Sequence, residues 1–311
     1  MKYYLLITIG LTLALSSCIK ENWEQCPGYG KAQSLRIVFS HEDGTAAIPP
    51  NELQNAILYV FDADNLLVDF REINNPKLNE AYEPDFTLAP GNYSFVVWFN
   101  PLSPYAVVPT TAHLSIGVTQ KSEGKFQLQL PANRIVQEPA TVLPLALYGR
   151  QQQVIAETGE TTVIIPVIQQ TNRIHITVNG LTPNAHTYRF AITDDNGIYT
   201  FDNAFAPCAT FSYIAETQYS GTQLSASLTV LRLSESHPTP VLTIMDADTQ
   251  EMLFPHAGNI PNNLIELLKT IDPDNDFDQR HEYTIDIVFS GNDVWINGWK
   301  VVSSDTGLIS F

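Results

Sequence analysis

One cysteine, Cys18, stands directly after the only long apolar run near the start of the sequence. The run begins after Lys2 and extends from Tyr3 to Leu15, and it ends in the order Leu15-Ser16-Ser17-Cys18. A membrane-spanning helix needs roughly 20 apolar residues, so this shorter run predicts a cleavable export signal. A cysteine thiol is nucleophilic when ionised, and the small side chains before it suit the binding cleft of a signal peptidase. The expected chemistry here is acylation of the Cys18 thiol.

The order Leu15-Ser16-Ser17-Cys18 resembles the bacterial lipobox. In such signals the thiol takes a diacylglyceryl group, cleavage falls between the residues here numbered Ser17 and Cys18, and the new amino terminus is acylated. Several acyl chains anchor a protein stably where one chain is marginal. We therefore predict a lipoprotein signal peptide over residues 1–17, lipid (palmitate) attachment at Cys18 and a lipidated tether over residues 18–30. A plain secretory signal with a cysteine at this position by chance is the alternative.

The two other cysteines are Cys26 and Cys208. Exported proteins meet an oxidising compartment, so a Cys26–Cys208 disulfide is one expectation. Two unpaired thiols are the other, because the sequence does not show that the two residues are close in space. The chain has no C-x-x-C pair and no cluster of cysteine and histidine at zinc-binding spacing.

Other residue patterns that carry catalytic or metal chemistry are weak. No histidine lies in an H-E-x-x-H motif, and the segment His113–Gly117 lacks the first glycine of a nucleophile elbow. The segment Asp272–Asp278 has carboxylates at alternate positions, as hard cations prefer, but Phe277 and Tyr283 stand where a calcium-binding EF-hand loop needs Gly and Glu. We therefore predict a solvated acidic loop there, no metal site, no catalytic residues and no cofactor. We expect a protein that is not an enzyme and has no small-molecule substrate.

The overall charge also excludes one class of partner. The 311-residue chain has 33 acidic and 16 basic residues and a formal net charge of −17. Such a chain repels phosphate backbones, so we expect no nucleic-acid partner. Only 16% of the residues are charged, and Thr, Val, Ile, Tyr and Phe are plentiful, which favours strands over helices.

The elements that would position these residues are mainly strands. Apolar or alternating runs predict strands at Leu35–Phe39, Ile57–Phe61, Leu66–Phe70, Tyr93–Phe99, Phe126–Leu130, Ile174–Val178, Tyr188–Ile192, Ile198–Phe201 and Tyr283–Ile287. Clean alternation is typical of antiparallel sheets with one wet face. One short helix is predicted, because Ile260, Leu264, Leu267, Leu268 and Ile271 recur at helical spacing and Pro261 stands near the start.

The two halves of the chain look alike. An acidic turn follows an apolar strand at Asp62–Asn65 and again at Asp194–Gly197, and each is followed by a returning strand. We place the domain boundary near residue 168, with an N-terminal β-sandwich over residues 31–168 and a C-terminal β-sandwich over residues 169–311.

Several short motifs occur in an order that resembles one family over nearly the whole mature chain. They are the lipobox, Glu24-Gln25-Cys26-Pro27, Leu58-Tyr59-Val60-Phe61-Asp62, Leu88-Ala89-Pro90-Gly91-Asn92-Tyr93, Leu147-Tyr148-Gly149, Thr171-Asn172-Arg173, Asn179-Gly180-Leu181 and Asn196-Gly197-Ile198-Tyr199-Thr200-Phe201-Asp202. Together they resemble the FimB-like fimbrial anchor lipoproteins of Bacteroidales.

The resemblance implies an all-β protein built from two tandem transthyretin-like antiparallel β-sandwiches with one or two short helices. It implies a lipid-anchored protein of the outer membrane, exposed on the cell surface at the base of a fimbria. Its partners would be fimbrial subunits (pilins), contacted through β-strands. It implies no catalytic residues.

A carbohydrate-binding surface lipoprotein is the alternative function. Exposed aromatic side chains bind glycans on other β-sandwiches, and Trp98, Trp295 and Trp299 are the candidates. Core packing is the competing role for these tryptophans, since each lies in or beside an apolar strand.

The C-terminal region is the candidate for subunit contact. The segment Val294–Val302 is strand-like, and a second apolar stretch, Leu308–Phe311, ends the sequence. Part of the sheet edge formed here is expected to join a neighbouring subunit. The competing expectation is that Val294–Val302 closes the second sandwich and the tail packs on it.

Overall fold

The computed structural model describes residues 34–41, 48, 50–138, 143–181, 186–215, 217–255, 263–291 and 293–302. Within these ranges the protein is all-β, with several sheets that form sandwich-like units and one short α-helix. The strands, in chain order, are β1 Ser34–His41, β2 Asn55–Phe61, β3 Leu67–Asn74, β4 Ala81–Tyr82, β5 Gly91–Phe99, β6 Tyr105–Val108, β7 Lys125–Leu128, β8 Ile135–Glu138, β9 Leu147–Ile155, β10 Glu160–Gln169, β11 Thr171–Asn179, β12 Tyr188–Asp194, β13 Ile198–Thr200, β14 Phe211–Ala215, β15 Gln218–Ser220, β16 Gln223–Leu231, β17 Val241–Asp246, β18 Met252–Phe254, β19 Glu282–Ser290, β20 Asp293–Ile296 and β21 Trp299–Val302. Short 3₁₀ turns occupy Pro50–Glu52, Thr111–His113 and Lys121–Glu123.

The first sheet has the strand order β3-β2-β5-β9-β10-β1-β4 and is covered on both faces. Leu58 and Val60 of β2 enter a core made only of residues from this half of the chain. Tyr59 and Phe61, which point the other way, enter a second core that continues into the rest of the protein. Successive side chains of a strand alternate between the two faces of the sheet, so β2 and β5 are apolar almost throughout because neither face meets water.

The second half contains two larger sheets. One has the order β15-β16-β11-β19-β20-β21 and the other the order β18-β17-β12-β14-β8. Ile174 and Ile176 of β11 and Phe190 and Ile192 of β12 lie in the same core. Alternate residues of β11, β16 and β19 are buried, as the sequence patterns of β11 and β19 predicted.

A fourth sheet, of order β13-β7-β6, links the two halves. Strand β7 precedes the predicted boundary near residue 168, and its partner β13 follows it. Strand β8 also precedes the boundary and adds in parallel to β14 at the edge of the five-stranded sheet. Residues 125–138 therefore pair with strands of the C-terminal half.

Three strand pairs are parallel: β1 with β10, β11 with β19, and β8 with β14. The other pairs of named strands are antiparallel. The antiparallel pairing expected from the clean alternation of Ile174–Val178 and Tyr283–Ile287 is wrong for the contact between β11 and β19, which is parallel. Alternation cannot reveal the direction of pairing, because side chains alternate with the same period in both kinds of sheet. A parallel pair also needs a long crossover, and short-range pattern does not reveal it.

The α-helix found within the described ranges, α1, spans Leu264–Ile271. Asn263 caps its start, because the Asn263 side chain accepts a hydrogen bond from the Glu266 amide at 3.1 Å. Leu264, Ile265, Leu267 and Leu268 are buried, which confirms the helix predicted from apolar spacing. The predicted starting residues Ile260 and Pro261 lie outside the described residues.

Candidate functional site

The predicted lipid attachment site lies outside the described residues, as do Ser17, Cys18 and Cys26. Cys208 is described and half-buried, and its sulfur donates a hydrogen bond to the Ala209 carbonyl at 3.5 Å. Burial raises the pKa of the Cys208 thiol. The Cys26–Cys208 disulfide remains a prediction.

The C-terminal hairpin forms one edge of the six-stranded sheet. Strands β20 and β21 pair through a two-residue turn, Asn297-Gly298, with φ of 47° and 84°. Left-handed conformations at both positions are what the favoured two-residue hairpin turn requires. The Asn297 amide donates to the Asp286 carbonyl at 2.8 Å, and Asn297 Oδ1 accepts from the Asp286 amide at 2.8 Å. The turn is thus fixed to β19.

Strand β21 combines an unpaired outer edge with an exposed aromatic residue. Among the described strands it pairs only with β20 and is the last of its sheet. Trp299, its first residue, is 64% exposed, whereas Val294 and Ile296 of β20 are 2% exposed. The hairpin therefore packs on the core through β20 and leaves Trp299 in solvent.

The edge of the seven-stranded sheet formed by β3 carries charged side chains. Strand β3 ends the seven-stranded sheet, and its Arg71 pairs with Asp69 beside it and with Asp85 at 2.6 Å. Charged side chains on an edge discourage the addition of another strand. The edge strands β4, β13, β15 and β18 are two or three residues long, whereas β6 and β8 have four residues, as β21 does. The exposed aromatic ring of Trp299 distinguishes the β21 edge and makes it the candidate for a strand-mediated contact.

The three candidate tryptophans have different environments. Trp98 is fully buried and stacks on Phe126 with ring centroids 4.3 Å apart. Core packing, the role that competed with glycan binding, is thus confirmed for Trp98. Trp295 is partly buried and Trp299 is exposed. Trp299 is therefore the one of the three with a fully accessible ring.

A hairpin from the second half inserts into the first half at Phe201. The Phe201 ring is 1% exposed and lies 4.6 Å from the ring of Tyr59, centroid to centroid. The hydroxyl of Tyr148 donates to the Phe201 carbonyl at 3.0 Å, and burial raises the pKa of that hydroxyl to about 12. Next to it, the Asp202 carboxylate accepts from Lys121 at 2.9 Å and also pairs with Arg150. These contacts join the two halves through one core.

A cleft of about 500 Å³ also lies between the halves. Its lining includes Leu145 from the first half and Asn172 and His281 from the second. Asn172 Oδ1 accepts from the Leu233 amide at 2.8 Å, and Asn172 Nδ2 lies 3.3 Å from His281 Nδ1. Burial lowers the pKa of His281 to about 4, so its ring is neutral near pH 7. The side chain of Asn172 in the wall of the cleft is therefore already occupied by contacts within the protein.

Two clusters have side chains close enough to hold a metal ion among the described residues. One comprises Asp194, Asp195 and His237 and the other His186, Asp246 and Asp248, with ligand atoms within 4.8 Å of one another in each. In the first, His237 Nε2 lies 2.7 Å from Asp195 Oδ1. In the second, His186 Nδ1 lies 2.8 Å from Asp246 Oδ2, an ion-pair distance without hydrogen-bond alignment.

Asp194 is the most buried carboxylate of the first cluster. It is 3% exposed, and burial raises its pKa to about 6 although Thr239 donates a hydrogen bond to it at 2.6 Å. The sequence analysis missed both clusters, because each histidine is far along the chain from its acidic neighbours. Neither cluster has a spacing that a motif search could have found.

Carboxylates of the acidic segment Asp272–Asp278 bind to neighbouring groups of the same loop region. Asp272 pairs with Arg280 at 2.8 Å, and Asp276 Oδ1 accepts from the Asp278 amide at 2.9 Å. Phe277 is 4% exposed and belongs to the core. The carboxylates of Asp274, Asp276 and Asp278 are exposed, as predicted for a solvated loop.

Comparison with known proteins identifies relatives at two levels. The family model of the fimbrillin-A associated anchor proteins Mfa1 and Mfa2 matches residues 24–305. No curated protein sequence matches this chain. Among the described residues, no helix is long and apolar enough to span a membrane.

Several solved structures share the fold. The fimbrial anchor protein Mfa2 from Porphyromonas gingivalis has a TM-score of 0.70 and 19% identity, over 87% of this chain and 99% of that one. A protein from Bacteroides ovatus, described as an adhesin, has a TM-score of 0.70 and 17% identity, over 86% and 94%. A protein from Bacteroides thetaiotaomicron, described as polysaccharide-binding, has a TM-score of 0.67 and 18% identity, over 88% and 98%. Likeness at these identities shows the shared fold.

Proposed function

Because the chain belongs to the family of fimbrillin-A associated anchor proteins, we propose that it is an outer-membrane lipoprotein that anchors or helps assemble a fimbria. In this proposal the acyl chains on Cys18 hold it at the cell surface, at the base of the fimbria. A β-strand contact joins it to a fimbrial subunit. The role is structural and needs no catalytic residue or cofactor.

The observation that supports the subunit contact is the outer edge of β21, with which no other described strand pairs. An unpaired edge offers backbone N–H and C=O groups that another chain can complete as an added strand. Trp299, 64% exposed at the start of this edge, provides a large side chain for the partner to bury. Aromatic side chains of this kind are frequent anchors of protein interfaces.

The membrane end of the proposal rests on the sequence. The lipobox-like order before Cys18 supports cleavage after Ser17 and acylation of the thiol. Residues 18–30 then act as the tether, followed by an N-terminal unit to about residue 168 and a C-terminal unit to residue 311. Strands β7 and β8 pair with strands of the C-terminal half. This pairing supports a close association of the two units.

The test compares two equally exposed apolar residues. Trp299→Ser should abolish co-purification of fimbrial subunits with the full-length protein, because the anchor residue of the edge is lost. Leu102→Ser removes a side chain that is 60% exposed elsewhere and should leave co-purification unchanged. Retention of fimbrial subunits by Trp299→Ser would contradict a contact at this edge.

Glycan binding is the second candidate, and the exposure of Trp299 favours it as well. An indole face in solvent can stack on a sugar ring, and one structural neighbour is described as polysaccharide-binding. A glycan array separates the two proposals. Saturable binding of a glycan that is lost in Trp299→Ser, without any co-purifying fimbrial subunit, would favour the lectin-like function.

A further inference from the structure

A loop in the first half presents two large aliphatic side chains to solvent. Ile116 is 61% exposed and Val118 is 69% exposed, and Gly117 lies between them with a φ of 73°. Single exposed apolar residues are common on protein surfaces. Two aliphatic residues at the tip of one loop, both more than half exposed, form a small apolar surface that could contact a partner.

The loop is rigidly built rather than loose. The Thr119 amide donates to the Ser115 carbonyl at 2.9 Å, and the Ser115 amide donates to Thr119 Oγ1 at 2.9 Å. The Gly117 amide donates to the Leu67 carbonyl at 2.8 Å, and the Leu67 amide donates to the Thr119 carbonyl at 2.9 Å. The backbone is thus satisfied inside the protein while the apolar side chains point outward. Such preorganisation lowers the entropy cost of binding.

The strand register places this loop at the end of the sheet where the chain enters the fold. Leu67 pairs with Phe61 at the end of β2, and Gly91 pairs with Ile155 at the same end of the sheet. Ser34, the first described residue, pairs there with Glu160.

Val154, one residue before Ile155, is 64% exposed at this end too. The end of the sheet that receives the tether thus carries three exposed aliphatic side chains.

We propose that the tip formed by Ile116 and Val118, together with Val154 at the same end of the sheet, rests in the lipid surface to which the protein is anchored. This inference depends on the proposed acylation of Cys18. The tether and the three residues that join it to β1, residues 18–33 together, reach at most about 55 Å when fully extended. The six strands from β3 to β1 span about 24 Å, so the tether can bring the whole end of the sheet to the membrane.

The charges at this end define the kind of lipid contact. The carboxylate of Asp62 is held by the backbone, because its Oδ1 accepts hydrogen bonds from the amides of Asp64 and Leu66, both at 2.9 Å. Asp64 and Glu157, which lies in the turn after β9 at this end, are exposed and would be repelled by anionic headgroups. The contact is therefore apolar insertion at the headgroup boundary, and it depends on the high local concentration that the acyl anchor provides.

Site-specific photo-crosslinking in cells that make the full-length protein tests the inference. A photoreactive amino acid replaces Val118 in one variant and Leu102 in the control. Leu102 is 60% exposed but follows Phe99, which pairs with Ala56 at the opposite end of the sheet. Palmitate labelling of the same samples reports the anchor.

We expect a lipid adduct when the photoreactive residue is at position 118 and no lipid adduct when it is at position 102. A protein adduct at position 118, or no adduct, in a palmitate-labelled sample would overturn the lipid contact alone. Equal lipid adducts at both positions would overturn it as well, because the contact would then not be specific to this end. Absence of palmitate would overturn both the anchor and this inference.

Discussion

The ring of Phe201 lies directly over the α-carbon of Gly124. A β-carbon at position 124 would stand 2.5 Å from atoms of that ring, and the Phe201 amide donates to the Gly124 carbonyl at 3.2 Å. The glycine is needed for space, because its φ of −70° is open to any residue. One missing side chain in the first half thus makes room for the aromatic residue that the second half inserts.

We expect Gly124→Ala to destabilise the protein by about 1–3 kcal/mol through overpacking. The Phe201 ring is buried among Tyr59 and Phe61 and has no free direction in which to move. Urea unfolding gives the free-energy difference. Gly91→Ala is the matched control, because its new β-carbon would meet only Tyr93 at 3.6 Å. Equal stability of the Gly124 variant and the wild type would show that the Phe201 ring can move to accept a β-carbon at position 124.

This junction also marks the limit of what could be predicted from the sequence. The apolar and alternating runs predicted β1, β2, β3, β5, β7, β11, β12, β13 and β19, and the spacing of Leu264, Leu267 and Leu268 predicted α1, because those signals are local. Other strands, such as β9, β10 and β16, were not predicted. The contact between Gly124 and Phe201 joins distant parts of the chain, and no periodic pattern encodes it. The parallel pairing of β1 with β10 was hidden for the same reason.

The candidate site divides in the same way. The strand-like segment from Val294 marked the C-terminal edge in advance, but only the structure distinguishes buried Trp98 from exposed Trp299. The cluster of Asp194 with His237 was missed, since its members meet only after folding.

The stability of the protein should depend on the ionisation of Asp194. Burial raises the folded pKa of Asp194 to about 6, from an ordinary value of 3.8, so the folded state binds a proton more tightly than the unfolded state. The favourable contribution of the protonated form is complete below about pH 4 and is lost as the pH rises to about 6. The difference corresponds to about 3 kcal/mol.

Asp194→Asn should remove this dependence, because an amide stays neutral. Unfolding free energies from pH 4 to pH 7.5 should therefore show the variant gaining on the wild type as the pH rises. The comparison must be a difference between variants, because His281 contributes with the opposite sign. Its pKa, lowered to about 4, makes folding more favourable as the pH rises towards 6.5. Parallel curves for the wild type and Asp194→Asn would refute the assignment.

Replacing Cys18 with Ala should free the protein from the outer membrane without unfolding it. Anchoring in the proposal rests on the acyl chains alone, and they would have no attachment site. Fractionation after metabolic labelling with palmitate measures both label and location. Cys26→Ala is the control and should keep the label. If the unlabelled Cys18 variant stayed in the outer-membrane fraction, another anchor would have to exist.

The last prediction concerns residues 303–311, which follow the end of β21 at Val302. If the edge that begins at Trp299 joins the protein to a fimbrial subunit, the segment that continues from it contributes to that contact. Deleting residues 303–311 should then abolish capture of fimbrial subunits and leave the melting temperature of the isolated protein nearly unchanged. In the competing arrangement the tail packs on the second sandwich, and its loss would lower the melting temperature because apolar contacts disappear. Thermal melting and subunit co-purification on the same preparation distinguish the two. A truncated protein that still retains fimbriae, or one that unfolds, would count against a joint at this edge, whereas a stable protein without fimbrial subunits is the expected result.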